Sequence, residues 1–136
     1  MKKVLFICTG NTCRSPMAKA LFNQYAKENG VDAVADSAGI AAAFDMPASE
    51  NTVSVLKEIG IDISNHLTKP ISRELLDSAD LIVCMSEEHA KLIRSAGWDC
   101  IVMGSGIPDP YGYSINVYRD CRDKMYSVMP SLVKRL

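Results

Sequence analysis

The feature that most constrains the fold is a short apolar run near the start of the chain that ends abruptly in a turn. Residues 3–8, with the sequence KVLFIC, have the length of a strand and show no polar alternation. Such a run is typical of a central strand in a parallel sheet, where both faces are covered. Residues 9–11 (Thr-Gly-Asn) interrupt it, and Ser15 and Pro16 then fit the first turn of a helix, with Ser15 as its expected cap. The chain therefore opens as strand, turn and helix.

The same alternation continues along the chain. Further strands are predicted at residues 31–37, 80–85 and 100–103. Helices are predicted at residues 15–30, 49–59, 72–78, 87–96 and from residue 114 to the end, where Pro130 should kink or interrupt the helix. Strands that alternate with helices indicate one α/β domain over residues 1–136, with a four-stranded parallel sheet and helices on both faces. Ligands of such folds bind beyond the carboxyl ends of the strands.

Composition and charge exclude several classes of function. A chain of 136 residues with 48% hydrophobic residues can form its own core without metals or disulfides. Its net charge of −1 predicts no general attraction to nucleic acid or to anionic membranes, so an anion site would have to be local. No apolar run could span a membrane or serve as a signal peptide. Five cysteines without a zinc-type pair suit a reducing compartment, so we expect a cytoplasmic protein.

Residues 8–16, Cys-Thr-Gly-Asn-Thr-Cys-Arg-Ser-Pro, carry the chemistry. Cys8 ends the first strand, Arg14 opens the helix, and the Gly-Asn pair between them tolerates left-handed backbone angles. Those angles let successive backbone N–H groups converge on an anion at a helix N-terminus. Together with Arg14 and the Ser15 hydroxyl, they favour a thiolate at Cys8. The alternative, a core cysteine and a solvated arginine, leaves the turn and the serine unexplained.

Displacement of a leaving group by a thiolate also requires a proton donor. Asp109 is the candidate, because it lies between two prolines just after the predicted fourth strand, at the same sheet edge as Cys8. Tyr111 could supply an apolar wall there, and burial together with a nearby phosphate would keep the carboxyl group protonated. From spacing alone, a plain Pro-Asp-Pro turn is the alternative interpretation.

Residues 8–16 resemble the signature loop of the low-molecular-weight protein phosphatases. Residues 37–40, 60–66, 78–83 and 109–111 resemble further motifs of that family in the same order, so the likeness covers essentially the whole chain. The resemblance implies the flavodoxin-like fold of this family, hydrolysis without a metal or other cofactor, and phosphorylated proteins as substrates. We expect a monomer or a weak homo-oligomer.

The resemblance also assigns roles to residues. It implies that Cys8 is the nucleophile and forms a phosphocysteine, that Ser15 stabilises the thiolate, and that Asp109 acts first as general acid and then as the base that activates water. Arg14 and the loop amides would bind phosphate. The phosphate-binding loop would comprise Thr9, Gly10, Asn11, Thr12, Cys13 and Arg14.

Supporting residues are expected around this loop. By resemblance, Asn11 would hold a left-handed kink through hydrogen bonds that reach Ser37, and His66 would be a supporting hydrogen-bonding residue. Cys13 could form a disulfide with Cys8 under oxidation, or could be a packed cysteine at the helix start; both remain open. His89 is predicted to be solvated helix surface.

The substrate is suggested by three positions. Tyrosine-specific members usually carry a bulky aliphatic residue at the position of Thr12, whereas Thr12 resembles the bacterial protein-arginine phosphatases. Its hydroxyl suits a guanidinium rich in N–H donors, and Gly112 beside Tyr111 removes a stacking wall that a phenol ring would use. Tyr113 departs from the arginine branch and could restore an aromatic wall. We therefore expect phosphoarginine, with phosphotyrosine as the alternative.

The sequence disfavours two other classes of function. An arsenate reductase on the same scaffold would need two more cysteines near the third strand; Cys84 could be one, but residues 87–99 contain no second. A non-catalytic phosphopeptide-binding module is disfavoured by the intact nucleophile and acid.

Overall fold

The computed structural model describes residues 1–104 and 106–136 and contains a four-stranded sheet. Its strands are β1 (Lys2–Cys8), β2 (Ala33–Gly39), β3 (Leu81–Cys84) and β4 (Ile101–Val102). All three pairings are parallel, in the order β2-β1-β3-β4. The side chains of β1 alternate between two buried clusters on opposite faces of the sheet. This placement explains why the run has no polar position after its first residues.

Five helices cover the two faces among the described residues. They are α1 (Arg14–Glu28), α2 (Glu50–Lys57), α3 (Arg73–Ser78), α4 (Glu87–Ser95) and α5 (Ile115–Val133). Side chains of α1, α2 and α5 pack with Val4 and Phe6 on one face, and those of α3 and α4 pack with Leu5 and Ile7 on the other. The predicted α/β class, with a parallel sheet between helices, is confirmed.

Three local predictions need correction. The first helix begins at Arg14 with Cys13 in the cap position, so Ser15 lies inside the first turn and is no cap. Strand β2 begins and ends two residues later than expected, at Ala33–Gly39. Pro130 does not interrupt α5, which continues to Val133, so that half of its prediction is wrong, while a kink there stays a prediction.

The register of the sheet determines what meets at its carboxyl edge. Cys8 is paired with Gly39 of β2, and the preceding residue Ile7 with Cys84 of β3. The segments that follow Cys8, Gly39 and Cys84 therefore leave the sheet side by side. No described helix is both long and apolar enough to cross a membrane.

Candidate active site

The Cys8 side chain lies at the end of β1 among hydrogen-bond donors. Its Sγ is 2.8 Å from Ser15 Oγ and accepts the backbone N–H of Asn11 at 3.2 Å. Ser15 Oγ also accepts the Asn11 side-chain amide at 2.8 Å, so its own proton is available for the sulfur. Because both groups can donate to Sγ, they stabilise a negative charge on it. Ser15 is fully buried. It lies inside the first turn of α1 and not at the cap, and from this position its hydroxyl reaches the sulfur.

Asn11 shapes the loop that follows. It has φ 59°, in the left-handed region, and is fully buried. Its side-chain amide donates to Ser37 Oγ at 3.0 Å as well as to Ser15, and its Oδ1 accepts the backbone N–H of Lys69 at 3.1 Å. The expected bond to Ser37 is thus present. The second expected left-handed residue, Gly10, is not in that region, so the kink depends on Asn11 alone.

His66 supports the same turn from outside. Its Nε2 lies 2.9 Å from the Asn11 carbonyl oxygen, which is the type of contact expected for it. Burial lowers the pKa of His66, an effect that its hydrogen bond to Asn11 opposes. A neutral imidazole that donates from Nε2 satisfies this carbonyl.

Gly39 is a residue that the sequence reasoning missed as part of the site. A Cβ added there would lie 2.5 Å from the Thr9 carbonyl oxygen and 3.0 Å from the Asn11 nitrogen. Real Cβ atoms do not approach backbone this closely, so the loop after Cys8 can lie against β2 only if this position is bare. The available signal was its place in the Ser-Ala-Gly-Ile segment, opposite Cys8 in a parallel sheet.

The side chains of Arg14 and Asp109 contact each other, although they lie in segments far apart in the chain. Arg14 Nη2 is 3.5 Å from Asp109 Oδ2, and Arg14 Nη1 donates to the Met85 carbonyl oxygen at 3.5 Å. Only 13% of the Arg14 side chain is exposed, whereas 58% of the Asp109 side chain is exposed. Burial, one of the two causes expected to keep Asp109 protonated, is therefore absent. Asp109 Oδ1 instead accepts the backbone N–H of Tyr111 at 3.2 Å.

These groups surround one cavity of about 390 Å³. Its lining consists of Cys8, Thr9, Gly10, Thr12, Cys13, Arg14, Asp109 and Tyr111. Tyr111 stands at the mouth with 74% of its surface exposed, and Tyr113 is exposed nearby in the chain. Gly112, with φ 80°, is not part of the lining. The structure thus brings the expected nucleophile, loop, arginine and carboxyl group to one place.

Cys13, which also lines the cavity, contacts polar groups beside the loop. Its Sγ lies 3.5 Å from Ser49 Oγ and 3.7 Å from the Tyr118 hydroxyl. Burial, followed by the contact with Cys13, raises the pKa of Tyr118 to about 12. All five cysteines are free thiols. A disulfide between Cys8 and Cys13 stays a prediction.

His89 contradicts its prediction as solvated surface. It is only 7% exposed, its Nε2 lies 2.8 Å from Thr9 Oγ1, and its Nδ1 lies 2.8 Å from Ser86 Oγ. The helix that carries it, α4, begins directly after β3 and so starts at the sheet edge where the loop lies. That position in the chain was the signal that could have placed His89 near the site.

Comparison with known proteins gives a consistent result. The model of the family described as low molecular weight phosphotyrosine protein phosphatase matches residues 3–136. The chain is 38% identical to a protein-arginine-phosphatase of Bacillus subtilis (strain 168), over 98% of this chain and 95% of that protein. It is also 38% identical to the low molecular weight protein-tyrosine-phosphatase Ptp of Acinetobacter johnsonii, over 81% and 80% of the two chains.

Solved structures and a more distant relative extend the comparison. A low molecular weight protein tyrosine phosphatase from T. tengcongensis superposes with a TM-score of 0.92 at 37% identity, with full coverage of both chains. Arsenate reductase 1 of Bacillus cereus (strain ATCC 10987 / NRS 248) is 30% identical over 91% of this chain and 88% of its own length. The predicted family is confirmed: the chain belongs to the low molecular weight phosphotyrosine protein phosphatase family and is a low-molecular-weight protein phosphatase.

Proposed function

We propose that this phosphatase hydrolyses phosphoarginine side chains of proteins through a phosphocysteine at Cys8. The observation that carries the proposal is one cavity lined by Cys8, Arg14 and Asp109. In it Cys8 Sγ lies 2.8 Å from Ser15 Oγ and 3.2 Å from the backbone nitrogen of Asn11. The donors hold a thiolate in place, and the guanidinium supplies a planar fork for phosphoryl oxygens.

The reaction has two steps. In the first, Cys8 Sγ attacks phosphorus, the bond between phosphorus and the guanidino nitrogen breaks, and Asp109 donates a proton to that nitrogen. In the second, Asp109 takes a proton from water as the water oxygen attacks the phosphocysteine, which releases inorganic phosphate and restores the thiolate. The same carboxyl group thus gives one proton and recovers one.

The Arg14–Asp109 contact links binding to this proton transfer. At 3.5 Å the Arg14 guanidinium and the Asp109 carboxyl group are paired in the free protein. An incoming phosphoryl dianion competes with Asp109 for Arg14. Substrate binding therefore releases the Asp109 carboxyl group from Arg14, so that it can turn towards the leaving nitrogen.

The preference for phosphoarginine is supported by Thr12 and by the relatives. Thr12 is half-buried and lines the cavity, so its hydroxyl can bond to a guanidinium N–H where an aliphatic side chain could not. A protein-arginine-phosphatase is among the relatives that match nearly the whole chain. Phosphotyrosine is the second candidate, because Tyr111 at the mouth offers a ring for stacking against a phenol.

Arsenate reduction is disfavoured by the state of Cys84. A disulfide relay needs a second thiol that can ionise and reach the surface. Cys84 is fully buried, and this burial raises its pKa far above that of an ordinary thiol.

The experiment that tests the proposal compares kcat/KM for two peptides of the same sequence that carry either phosphoarginine or phosphotyrosine. We expect the phosphoarginine peptide to have the higher value, with covalent phosphate trapped on Cys8 at acidic pH. A higher value for phosphotyrosine would make the second candidate correct, and label on any residue other than Cys8 would remove the mechanism.

The proposal also concerns where the enzyme works. We infer phosphorylated proteins of the cytoplasm as its substrates, a location supported by five cysteines that all remain free thiols. Fractionation of the source cells, with the protein recovered in the membrane or secreted fraction, would contradict it.

A further inference from the structure

Thr9, the residue next to the nucleophile, is held at two points. Its carbonyl oxygen accepts the backbone N–H of Ala41 at 2.9 Å, which fixes its main chain against the segment after β2. Its side chain is held separately, by His89 Nε2 at 2.8 Å from Oγ1. Thr9 lines the cavity, so the second contact joins helix α4 to the rim of the phosphate-binding loop.

The hydrogen bonds around His89 have a consistent direction. Ser86 caps α4, and its Oγ accepts the His89 backbone N–H at 3.4 Å. Its own proton is then available for His89 Nδ1 at 2.8 Å. With Nδ1 as acceptor, the ring proton of a neutral imidazole resides on Nε2 and is donated to Thr9 Oγ1. The Thr9 hydroxyl proton is left for an acceptor in the cavity.

The surroundings of His89 favour this neutral form. Burial is the main cause that lowers its pKa, and the Arg14 guanidinium lowers it further, while the Glu88 and Asp109 carboxylates oppose them. Helix capping alone does not require the imidazole, because Ser86 Oγ meets the backbone N–H directly. The ring therefore serves the contact with Thr9.

We propose that His89 is a positioning residue of the phosphatase, which fixes the Thr9 hydroxyl through Nε2 and thereby orients the start of the loop for an oxyanion. The inference rests on the proposed function in one respect, namely that the loop after Cys8 binds the phosphoryl group. It adds a residue on α4 to a site that already draws on β1, β2, α1, the loop between β1 and α1, His66 and the Asp109 segment.

The test measures inhibition by inorganic phosphate, together with kcat and KM for an aryl phosphate, in four variants. His89→Ala removes the donor, His89→Gln retains an amide N–H near the position of Nε2, and Thr9→Val removes the hydroxyl while keeping the shape of the side chain. The double variant combines His89→Ala with Thr9→Val. We expect His89→Ala and Thr9→Val each to weaken phosphate binding by about two- to tenfold, the effect of one neutral hydrogen bond. His89→Gln should recover most of this loss.

The double variant separates a shared bond from two independent effects. If the bond between His89 and Thr9 is what matters, the double variant binds phosphate no more weakly than either single variant. Losses that multiply would overturn the proposal. Should His89→Ala fail to fold, Thr9→Val and His89→Gln still report on the same bond, and unchanged phosphate inhibition in Thr9→Val would also overturn it.

Ser72→Ala is the matched control for stability. Ser72 caps α3 in the same way that Ser86 caps α4, through an N–H three residues on, but it has no contact with the loop. Its loss should lower the melting temperature without changing phosphate inhibition. If Ser72→Ala weakens phosphate binding as much as His89→Ala does, the His89 effect is one of stability and the proposal is wrong.

The Cys8→Ser variant distinguishes a failure of the proposed function from a failure of the role proposed for His89. If it abolishes turnover while His89→Ala leaves phosphate binding unchanged, the proposed function stands and only the role of His89 fails. If Cys8→Ser retains turnover, the proposed mechanism fails, while phosphate inhibition in the His89 and Thr9 variants still decides whether the two residues act together.

Discussion

The two segments that meet at the cavity, residues 8–15 and residues 106–114, are held in contrasting ways. In the first, Asn11 and Ser15 are fully buried, and bonds from β2, α4 and the segment around residues 66–69 converge on the loop. In the second segment, Asp109 and Tyr111 are exposed. The contacts of this segment with the rest of the fold include the pair of Arg14 and Asp109 at 3.5 Å. Residues 8–15 are thus fixed by hydrogen bonds to the surrounding elements, whereas residues 106–114 place their functional side chains at the surface.

This difference separates two tasks. In the proposed mechanism the fixed loop binds the phosphoryl group beside Cys8, and the geometry of such a site must be in place before the phosphoryl group arrives. The exposed segment carries Asp109 and Tyr111, which in the proposed mechanism are the proton donor and the ring that contacts the part of the substrate that varies. Substitutions of the buried residues in the first segment should therefore reduce activity towards all substrates. Substitutions in the second segment, and of Thr12 in the cavity lining, should change activity according to the substrate.

The largest effect should come from removing the nucleophile. Cys8→Ser is expected to lower kcat by at least about 10⁴-fold, because a serine hydroxyl at this position has no base to ionise it. Phosphate should still bind, since the loop amides and Arg14 remain. Steady-state kinetics and phosphate binding by calorimetry check both parts; retained turnover would place the nucleophile elsewhere.

Asp109→Asn should have the next largest effect and should depend on the substrate. We expect a loss of about 10²- to 10⁴-fold for substrates with poor leaving groups, because these need a proton from the acid. Activated aryl phosphates should lose much less. A panel of aryl phosphates of graded leaving-group pKa measures this slope; equal losses across the panel would argue against an acid role.

Gly39→Ala tests whether the fixed loop depends on its contact with β2. The added methyl group would push against the Thr9 carbonyl and the Asn11 nitrogen, and a displacement of about 1 Å can reduce kcat/KM by about 10²-fold. Gly30→Ala is the control: it strains a residue of φ 64° that has open space around it and no contact with the site. Similar kinetic losses in both variants would mean that Gly39 acts through general stability.

Thr12→Ile should change preference more than rate. Loss of the hydroxyl removes a partner for a guanidinium N–H, while the larger aliphatic surface favours a phenol. We expect the ratio of kcat/KM for phosphoarginine over phosphotyrosine to fall about tenfold, as is typical of a change in one pocket contact. Proportional changes for both peptides would show that Thr12 does not select the substrate.

The smallest effect concerns pH and stability. The pKa values of His66 and His89 are both lowered from the ordinary value of 6.5, mainly by burial. The unfolded chain then binds protons more readily than the folded chain. The stabilisation of the folded state by these two neutral histidines is therefore complete above pH 6.5, and it is lost as the pH falls through their lower folded-state pKa values. The urea midpoint should decline from pH 7.5 to pH 5, and this decline should shrink in His66→Gln.

From the sequence one can place the parts of the candidate site whose residues lie close together in the chain. Cys8, the turn and Arg14 lie within seven residues, so one strand, one loop and one helix start place them together. Gly39 and His89 could not be placed this way, because their contacts with Thr9 depend on strand register and on where α4 begins. The burial expected for Asp109 failed for the same reason, since solvent access is set by how distant elements surround the segment.

The brevity of β4 has an evolutionary consequence. The sheet pairs only Ile101 and Val102 in its last strand, and the backbone N–H of Met103 donates to the Cys84 carbonyl before the chain leaves the sheet edge. Insertion, deletion or exchange of residues between Met103 and the start of α5 would leave β1, β2, β3 and their register unchanged. Related chains could thus change substrate preference through residues of this stretch other than Asp109, while Cys8, Arg14 and the loop between them stay the same.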